Sequence, residues 1–103
     1  MIRVATREAI TKIRELMESE PSFYHKDWRL ERGIDSADGL AFVWDDNGQV
    51  IGFACAHDLG FRAYLSTLIV TRSARDKGIG KRLVQHIEDE LKSRGCKVLI
   101  SDV

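Results

Sequence analysis

The strongest constraint on the fold of this chain is a change of hydrophobic period. Between Leu40 and Thr71 the apolar residues fall in short extended runs, whereas from Leu83 to Leu91 they fall on one helical stripe. The first regime carries its own turn. Asp45-Asp46-Asn47-Gly48 separates residues 40–44 from residues 49–57, and Asn-Gly takes the paired positive φ angles of a two-residue hairpin. Leu59-Gly60-Phe61-Arg62 makes a second connection, to a run at 63–71 carrying Tyr64, Leu65, Leu68, Ile69 and Val70. Residues 40–71 are therefore predicted to form an antiparallel three-stranded meander. In the second regime Leu83, Val84, Ile87 and Leu91 share a face, while Arg82, Gln85, Asp89 and Lys92 point away. Arg94-Gly95 ends that helix, and 97–103 reads as a last strand.

The N-terminal part is less regular. Residues 2–5 alternate as a short strand would. Thr6 is the expected N-cap of a helix carrying Ala9, Ile10, Ile13, Leu16 and Met17, which Pro21 closes. Phe23, Tyr24, Trp28 and Leu30 fit a second helix with Gly33 at its C-cap, or a structured loop. The order is β-α-(α)-β-β-β-α-β, an α+β class. The 103 residues allow one domain, 1–103.

Charge narrows the partners. Lys and Arg number 16 and so do Asp and Glu. That balance argues against nucleic acid, which favours a basic domain. No apolar run approaches the roughly 20 residues of a membrane helix. The charged N-terminus does not read as a signal peptide, so a cytoplasmic protein is expected. Cys55 and Cys96 lack the neighbours of a zinc or redox motif and read as small buried residues. His25, His57 and His86 lack metal-ligand spacing, so no metal is expected.

The chemistry is concentrated at 68–81, which runs strand, polar loop, glycine pair, helix. Arg72, Arg75, Lys77, Lys81 and, one residue beyond, Arg82 face only Asp76, a local excess of four positive charges in a neutral chain. Gly78 and Gly80 let a ligand approach the backbone at a helix mouth, whose first amides lack intrahelical partners. Amides, helix dipole and basic side chains together suit a phosphate or pyrophosphate. A P-loop does not fit, because Arg75 stands at its first glycine and Arg82 at its Ser/Thr position. A dinucleotide fingerprint fits Gly78 and Gly80, with Asp102 as the distant acid, but Leu83 replaces the third glycine. A meander also does not belong at the start of that fold, so a dinucleotide-binding domain is the remote alternative.

The pattern Arg75-x-x-Gly78-x-Gly80, five residues after Leu68-Ile69-Val70, resembles the acyl-CoA motif (Q/R)-x-x-G-x-(G/A) of the GNAT N-acetyltransferase superfamily. The element order is similar to the family's from its first strand to its fifth. The resemblance implies a mostly antiparallel, twisted sheet with helices on both faces. It implies acetyl-CoA as cosubstrate, its pyrophosphate cradled by the amides of Arg75, Asp76, Lys77, Gly78, Ile79, Gly80 and Lys81. Leu68, Ile69 and Val70 would offer strand backbone to the pantetheine arm, where the fourth and fifth strands splay apart.

By the same resemblance, catalysis is direct attack of an amine on the thioester. Tyr64 occupies a common position of the family's general base, so that base is absent. A second position, on the fifth strand in enzymes that acetylate ribosomal-protein N-termini, corresponds to Asp102, the expected general base. His57 and Asp58 are weaker candidates. Neither Tyr24 nor Tyr64 stands where many members carry a tyrosine general acid. Members continue beyond the point matching Val103 with a helix and two strands, so a homodimer covering the acyl site is expected. The acceptor is a primary amine, with a protein N-terminus or a small amine as candidates. Residues 7–34 hold six basic and six acidic side chains and express no preference. The rival class is a CoA-binding or interaction module of the same fold without turnover.

Overall fold

The computed structural model describes residues 1–20 and 29–101. A five-stranded sheet runs in the order β1-β2-β3-β4-β5. Its strands are β1 (Ile2–Val4), β2 (Ala41–Asp46), β3 (Gln49–Asp58), β4 (Ala63–Val70) and β5 (Leu99–Ser101). The first four pair antiparallel, and β4–β5 is parallel. Helices α1 (Ile10–Glu18) and α2 (Leu30–Ala37) lie between β1 and β2 in sequence, and α3 (Ile79–Ser93) between β4 and β5.

The expected order is present, and the meander forms where the period indicated. Asn47 and Gly48 both take positive φ, 52° and 87°, and join Asp46 to its cross-strand partner Gln49. Their right-handed match to strand twist fixes the register of β2 against β3.

Two local expectations change. Thr6 carries a short 3-10 turn (Arg7–Ala9) but makes no side-chain cap. Its carbonyl accepts from the Ala9 amide at 3.0 Å instead. Gly33 does not end α2 but lies within it. The stop comes at Asp38 and Gly39, both at positive φ, which turn the backbone left-handed. Arg94, just past α3, donates to the Asp38 carbonyl at 2.7 Å and neutralises that helix end. Pro21, Phe23, Tyr24, His25, Trp28, Asp102 and Val103 lie outside the described residues.

Helices cover both sheet faces. Ile10, Ile13, Leu16 and Met17 of α1 and Leu30 and Ile34 of α2 are buried on one side. Ile79, Leu83, Ile87 and Leu91 of α3 are buried on the other. Each such side chain contributes about 1.5–3 kcal/mol of burial, which the ordering of the chain largely offsets. Phe53 and Leu40 are among the fully buried residues between them.

Candidate active site

Two irregularities of β4 create the site. The first is a bulge. Cys55 pairs with Thr67 and Ala56 with Leu65, so Ser66 has no opposite number on β3. A bulge bends its strand and re-aims the extra side chain. The second is the end of the β4–β5 ladder. Its pairs are Ala63↔Leu99, Tyr64↔Ile100 and Leu65↔Ser101, and no described strand continues along the outer edge of β4 beyond Leu65. The bulge and the end of the ladder coincide. From that vertex Leu68, Ile69 and Val70 present an edge of the sheet, the kind of edge that an extended ligand with amide groups completes.

The vertex opens onto a cleft of about 450 Å³ between β4, α3 and β5, lined by Leu65, Leu68, Val84, Glu88 and Ser101. The mouth of α3 stands at the far end of the same edge. Gly78 is its N-cap at φ 78°, no side chain caps it, and Asp76 also takes positive φ, 67°. The loop thus turns left-handed twice before the helix begins. A Cβ on Gly80 would sit 3.5 Å from Val70 Cγ2 and 3.8 Å from Leu68, so Gly80 lies directly over the strand edge.

The charge around this mouth is more structured than the sequence suggests. Glu20, just past α1, is almost fully buried and pairs with Arg75 at 2.9 Å and with Arg72 at 3.8 Å. Arg75 Nε also donates to the Val70 carbonyl at 3.3 Å. The Arg75 side chain therefore ties the loop to α1 and to β4. Arg82 lies over the ring of Trp44, 5.8 Å from its centroid. Lys77 and Lys81 are exposed and make no ion pair with any described residue. No local signal in the sequence links Glu20 to Arg75.

On the opposite face of β4 lies a second cavity, of about 320 Å³, between α2, β3 and β4. Its lining includes Leu30, Ile34, Phe53, Cys55, His57 and Ser66, and Arg29 is the one Lys, Arg, Asp or Glu among the described lining residues. Burial pushes the Cys55 thiol up to about 11, against a weaker lowering by its hydrogen bond to Ser66. It is therefore a neutral thiol at physiological pH and not a nucleophile. Cys96 is buried as well, and neither cysteine is in a disulfide. Among the described residues no His, Cys, Asp and Glu cluster could hold a metal. None of the described helices is long and apolar enough to cross a membrane.

The site residues expected from sequence fall into two groups. Residues 68–70 and 75–81 converge along one edge, and His57 lies at the vertex on the other face. Asp58 does not, because its carboxylate is used in the β3–β4 turn, accepting from the Gly60 amide at 2.8 Å. Asp102 follows Ser101 in sequence and is outside the described residues. Ser66 was missed by sequence reasoning, since only the register reveals a bulge.

The model of the Acetyltransferase (GNAT) family matches residues 7–103. The ribosomal-protein-S18-alanine N-acetyltransferase of Escherichia coli is similar at TM-score 0.82 and 24% identity, over 100% of this chain and 66% of that one. An acetyltransferase of Vibrio fischeri is similar at TM-score 0.81 and 22% identity, over 100% and 95%. The N-acetylglutamate synthase of Neisseria gonorrhoeae, in complex with coenzyme A and N-acetyl-glutamate, gives 0.81 and 24%, over 98% of this chain and 24% of that one. This chain thus spans about a quarter of the synthase and two thirds of the Escherichia coli enzyme. No curated protein matches the sequence. With the family model covering all but the first six residues, the chain belongs to the acetyltransferase (GNAT) family.

Proposed function

We propose that this chain binds acetyl-CoA and transfers its acetyl group to the nitrogen of a primary amine. The observation that carries the reading is the vertex at Leu65 and Ser101, where a strand edge that no described strand pairs with borders a cleft and leads to the helix mouth at Gly80. Two solved relatives support the cosubstrate. One is the synthase complexed with coenzyme A, and the other is AAC(6')-Iy with the bisubstrate analog CoA-S-monomethyl-acetylneamine, 23% identical to this chain.

The residues present fit such a ligand. The backbone of Leu68, Ile69 and Val70 would pair with the pantetheine amides. The amides from Arg75 through Asp76, Lys77, Gly78, Ile79, Gly80 and Lys81 would meet the pyrophosphate at the positive end of α3. Lys77 and Lys81 would neutralise phosphate charge. Bound acetyl-CoA supplies the activated thioester carbonyl. The protein's part is to hold that carbonyl at the vertex, exclude water and manage the protons of the attacking nitrogen. Asp102 is the proposed general base from the β5 side, taking the proton that the amine nitrogen sheds as it attacks the carbonyl.

The test is CoA-thiol release from acetyl-CoA with a panel of primary amines. Amine-dependent release is expected. Measurable acetyl-CoA binding without any amine-dependent release would instead make the chain a CoA-binding module. Asp102→Asn is expected to lower kcat at least 10-fold with acetyl-CoA affinity unchanged. We also propose a cytoplasmic, dimeric protein. Two unpaired thiols fit a reducing compartment. Val98 and Ile100 are 50% and 36% exposed at the outer strand β5, where a second copy could cover them. A solution mass of one chain at all concentrations would exclude the dimer.

A further inference from the structure

The α2-side cavity contains a hydrogen-bond chain that the donor cleft does not use. His57 Nε2 lies 3.1 Å from Ser66 Oγ, and His57 Nδ1 lies 3.3 Å from Ser36 Oγ. Each serine also reaches a backbone carbonyl. Ser36 reaches Gly33 O at 3.1 Å, and Ser66 reaches Cys55 O at 3.1 Å. One serine is on α2, the other is the bulge residue of β4, and the imidazole on β3 stands between them.

Counting hydrogens shows what this chain can do. A neutral imidazole has one donor and one acceptor, whereas an imidazolium has two donors. With the ring neutral, Nδ1–H donates to Ser36, Ser36 donates to Gly33 O, and Ser66 donates to Nε2. With the ring protonated, Nε2–H donates to Ser66, and the Ser66 hydroxyl turns to Cys55 O. Every partner for both states is already in place. One hydroxyl rotation separates them, with no movement of the backbone.

The position matters equally. Ser66 and Thr67 line this cavity, while Leu65, Leu68 and Ser101 line the donor cleft on the other face. The two spaces are neighbours across β4 at the vertex where the β4–β5 ladder ends. An amine held in the first would face a thioester held in the second. Gly33 keeps the cavity open, since a Cβ there would touch nothing within 4 Å.

Resting on the acetyl-transfer reading above, we propose that the α2-side cavity binds the acceptor as a primary ammonium with an apolar body, and that His57 takes its proton through the Ser66 hydroxyl. The ammonium proton passes to Ser66 Oγ as the Ser66 hydrogen passes to His57 Nε2. The products are the free amine and an imidazolium. As the C–N bond forms and the C–S bond breaks, the second nitrogen proton ends on the CoA thiol. The imidazolium then returns its proton to water. The chemical class follows from the lining: Leu30, Ile34 and Phe53 offer an apolar wall to the body of the amine, and the Ser66 hydroxyl and the imidazole behind it are the polar groups that meet its nitrogen. The ionisable groups that face His57 are the Cys55 thiol, 3.8 Å from Nε2, Tyr64, which is the cross-strand partner of His57, and Arg29 at the rim.

The experiment compares wild type with His57→Gln, Ser66→Ala and Gly33→Leu. Thiol release is measured with isoamylamine, phenylethylamine and spermidine across pH, beside acetyl-CoA affinity and thermal unfolding. The apolar amines are expected to outrun spermidine. His57→Gln should lower kcat/KM about 100-fold or more at neutral pH. It should approach wild type as pH rises and the amine arrives already deprotonated. Ser66→Ala should shift the profile the same way by a smaller factor. Gly33→Leu, on a helix that favours leucine over glycine, should raise KM for the amine and leave acetyl-CoA affinity intact. Wild type without acetyl-CoA binding would sink the acetyl-transfer reading and this proposal with it. Wild-type turnover with an unchanged His57→Gln profile, a preference for spermidine, or an acetyl adduct on Ser66 by mass would overturn only this proposal.

Discussion

Cys55 shows how one buried side chain sets a condition on the whole site. Its thiol is raised from 9.0 to about 11 because burial disfavours the thiolate. The unfolded chain ionises first as pH climbs, so unfolding is coupled to loss of a proton. The stabilisation is fully present below the ordinary thiol value and is lost as pH rises toward 11. Denaturant titrations from pH 8 to 11 should show stability falling by on the order of 2 kcal/mol, with a flatter curve in Cys55→Ala. A wild-type curve as flat as the variant's would remove this linkage. At the same scale Gly80 separates fold from ligand. Its Cβ position is in ordinary contact with Val70 and Leu68, so Gly80→Ala should keep or raise stability, by up to about 1 kcal/mol. Gly80→Asp adds bulk and negative charge where the backbone would meet pyrophosphate, and titration calorimetry should show acetyl-CoA binding lost. Gly78 is a poorer probe, because any side chain at φ 78° is strained as well. Residue-level chemistry was legible only where it was local. The glycine pair could be read from its spacing, whereas Ser66 is distinguished by a register shift and Glu20 by a partner 55 positions away.

Elements explain why the glycine mouth is where it is. Gly52 on β3 lies beneath α3, and a Cβ there would be 3.0 Å from Leu83 Cδ1 and 3.1 Å from Ile79 Cγ2. Both contacts are buried, and they sit on successive turns of one helix, so neither can yield without lifting the other. Gly52→Ala should therefore cost about 1–3 kcal/mol by chemical denaturation. Ile79 is the first residue of α3, so the same lift displaces the amides proposed to meet pyrophosphate. Acetyl-CoA affinity should weaken together with stability, and unchanged affinity would mean that the helix mouth is held by its loop rather than by its seat on β3. The strands and α3 were readable in advance because their periods and turn residues act locally. The second helix was not. Gly33 resembles a stop, but the backbone turns at Asp38-Gly39, and Gly33 instead leaves space beside β3. A glycine's role depends on what faces it, which the sequence does not contain.

At the scale of the whole molecule, a formal net charge of zero means no long-range field draws an anionic ligand in. Any electrostatic contribution must come from charges within about one Debye length of the ligand, roughly 8 Å at physiological salt. The five basic residues near the glycine mouth suggest a strong local field, but folding divides them. Arg72 and Arg75 face the buried carboxylate of Glu20, and Arg82 lies over Trp44. Lys77 and Lys81 are left without an ion pair among the described residues, and both are exposed. Salt should therefore act through these two. Raising ionic strength from about 0.05 to 0.5 M should weaken acetyl-CoA binding by about 3–10-fold, the scale of two exposed charge pairs. The double variant Lys77→Gln/Lys81→Gln should bind more weakly at low salt and lose most of that dependence. Arg75→Gln should behave differently. It leaves Glu20 buried without its 2.9 Å partner, so it should lower stability by on the order of 3 kcal/mol while keeping the wild-type salt slope. If Arg75→Gln flattened the slope and kept its stability, the guanidinium would be contacting phosphate rather than bracing the loop.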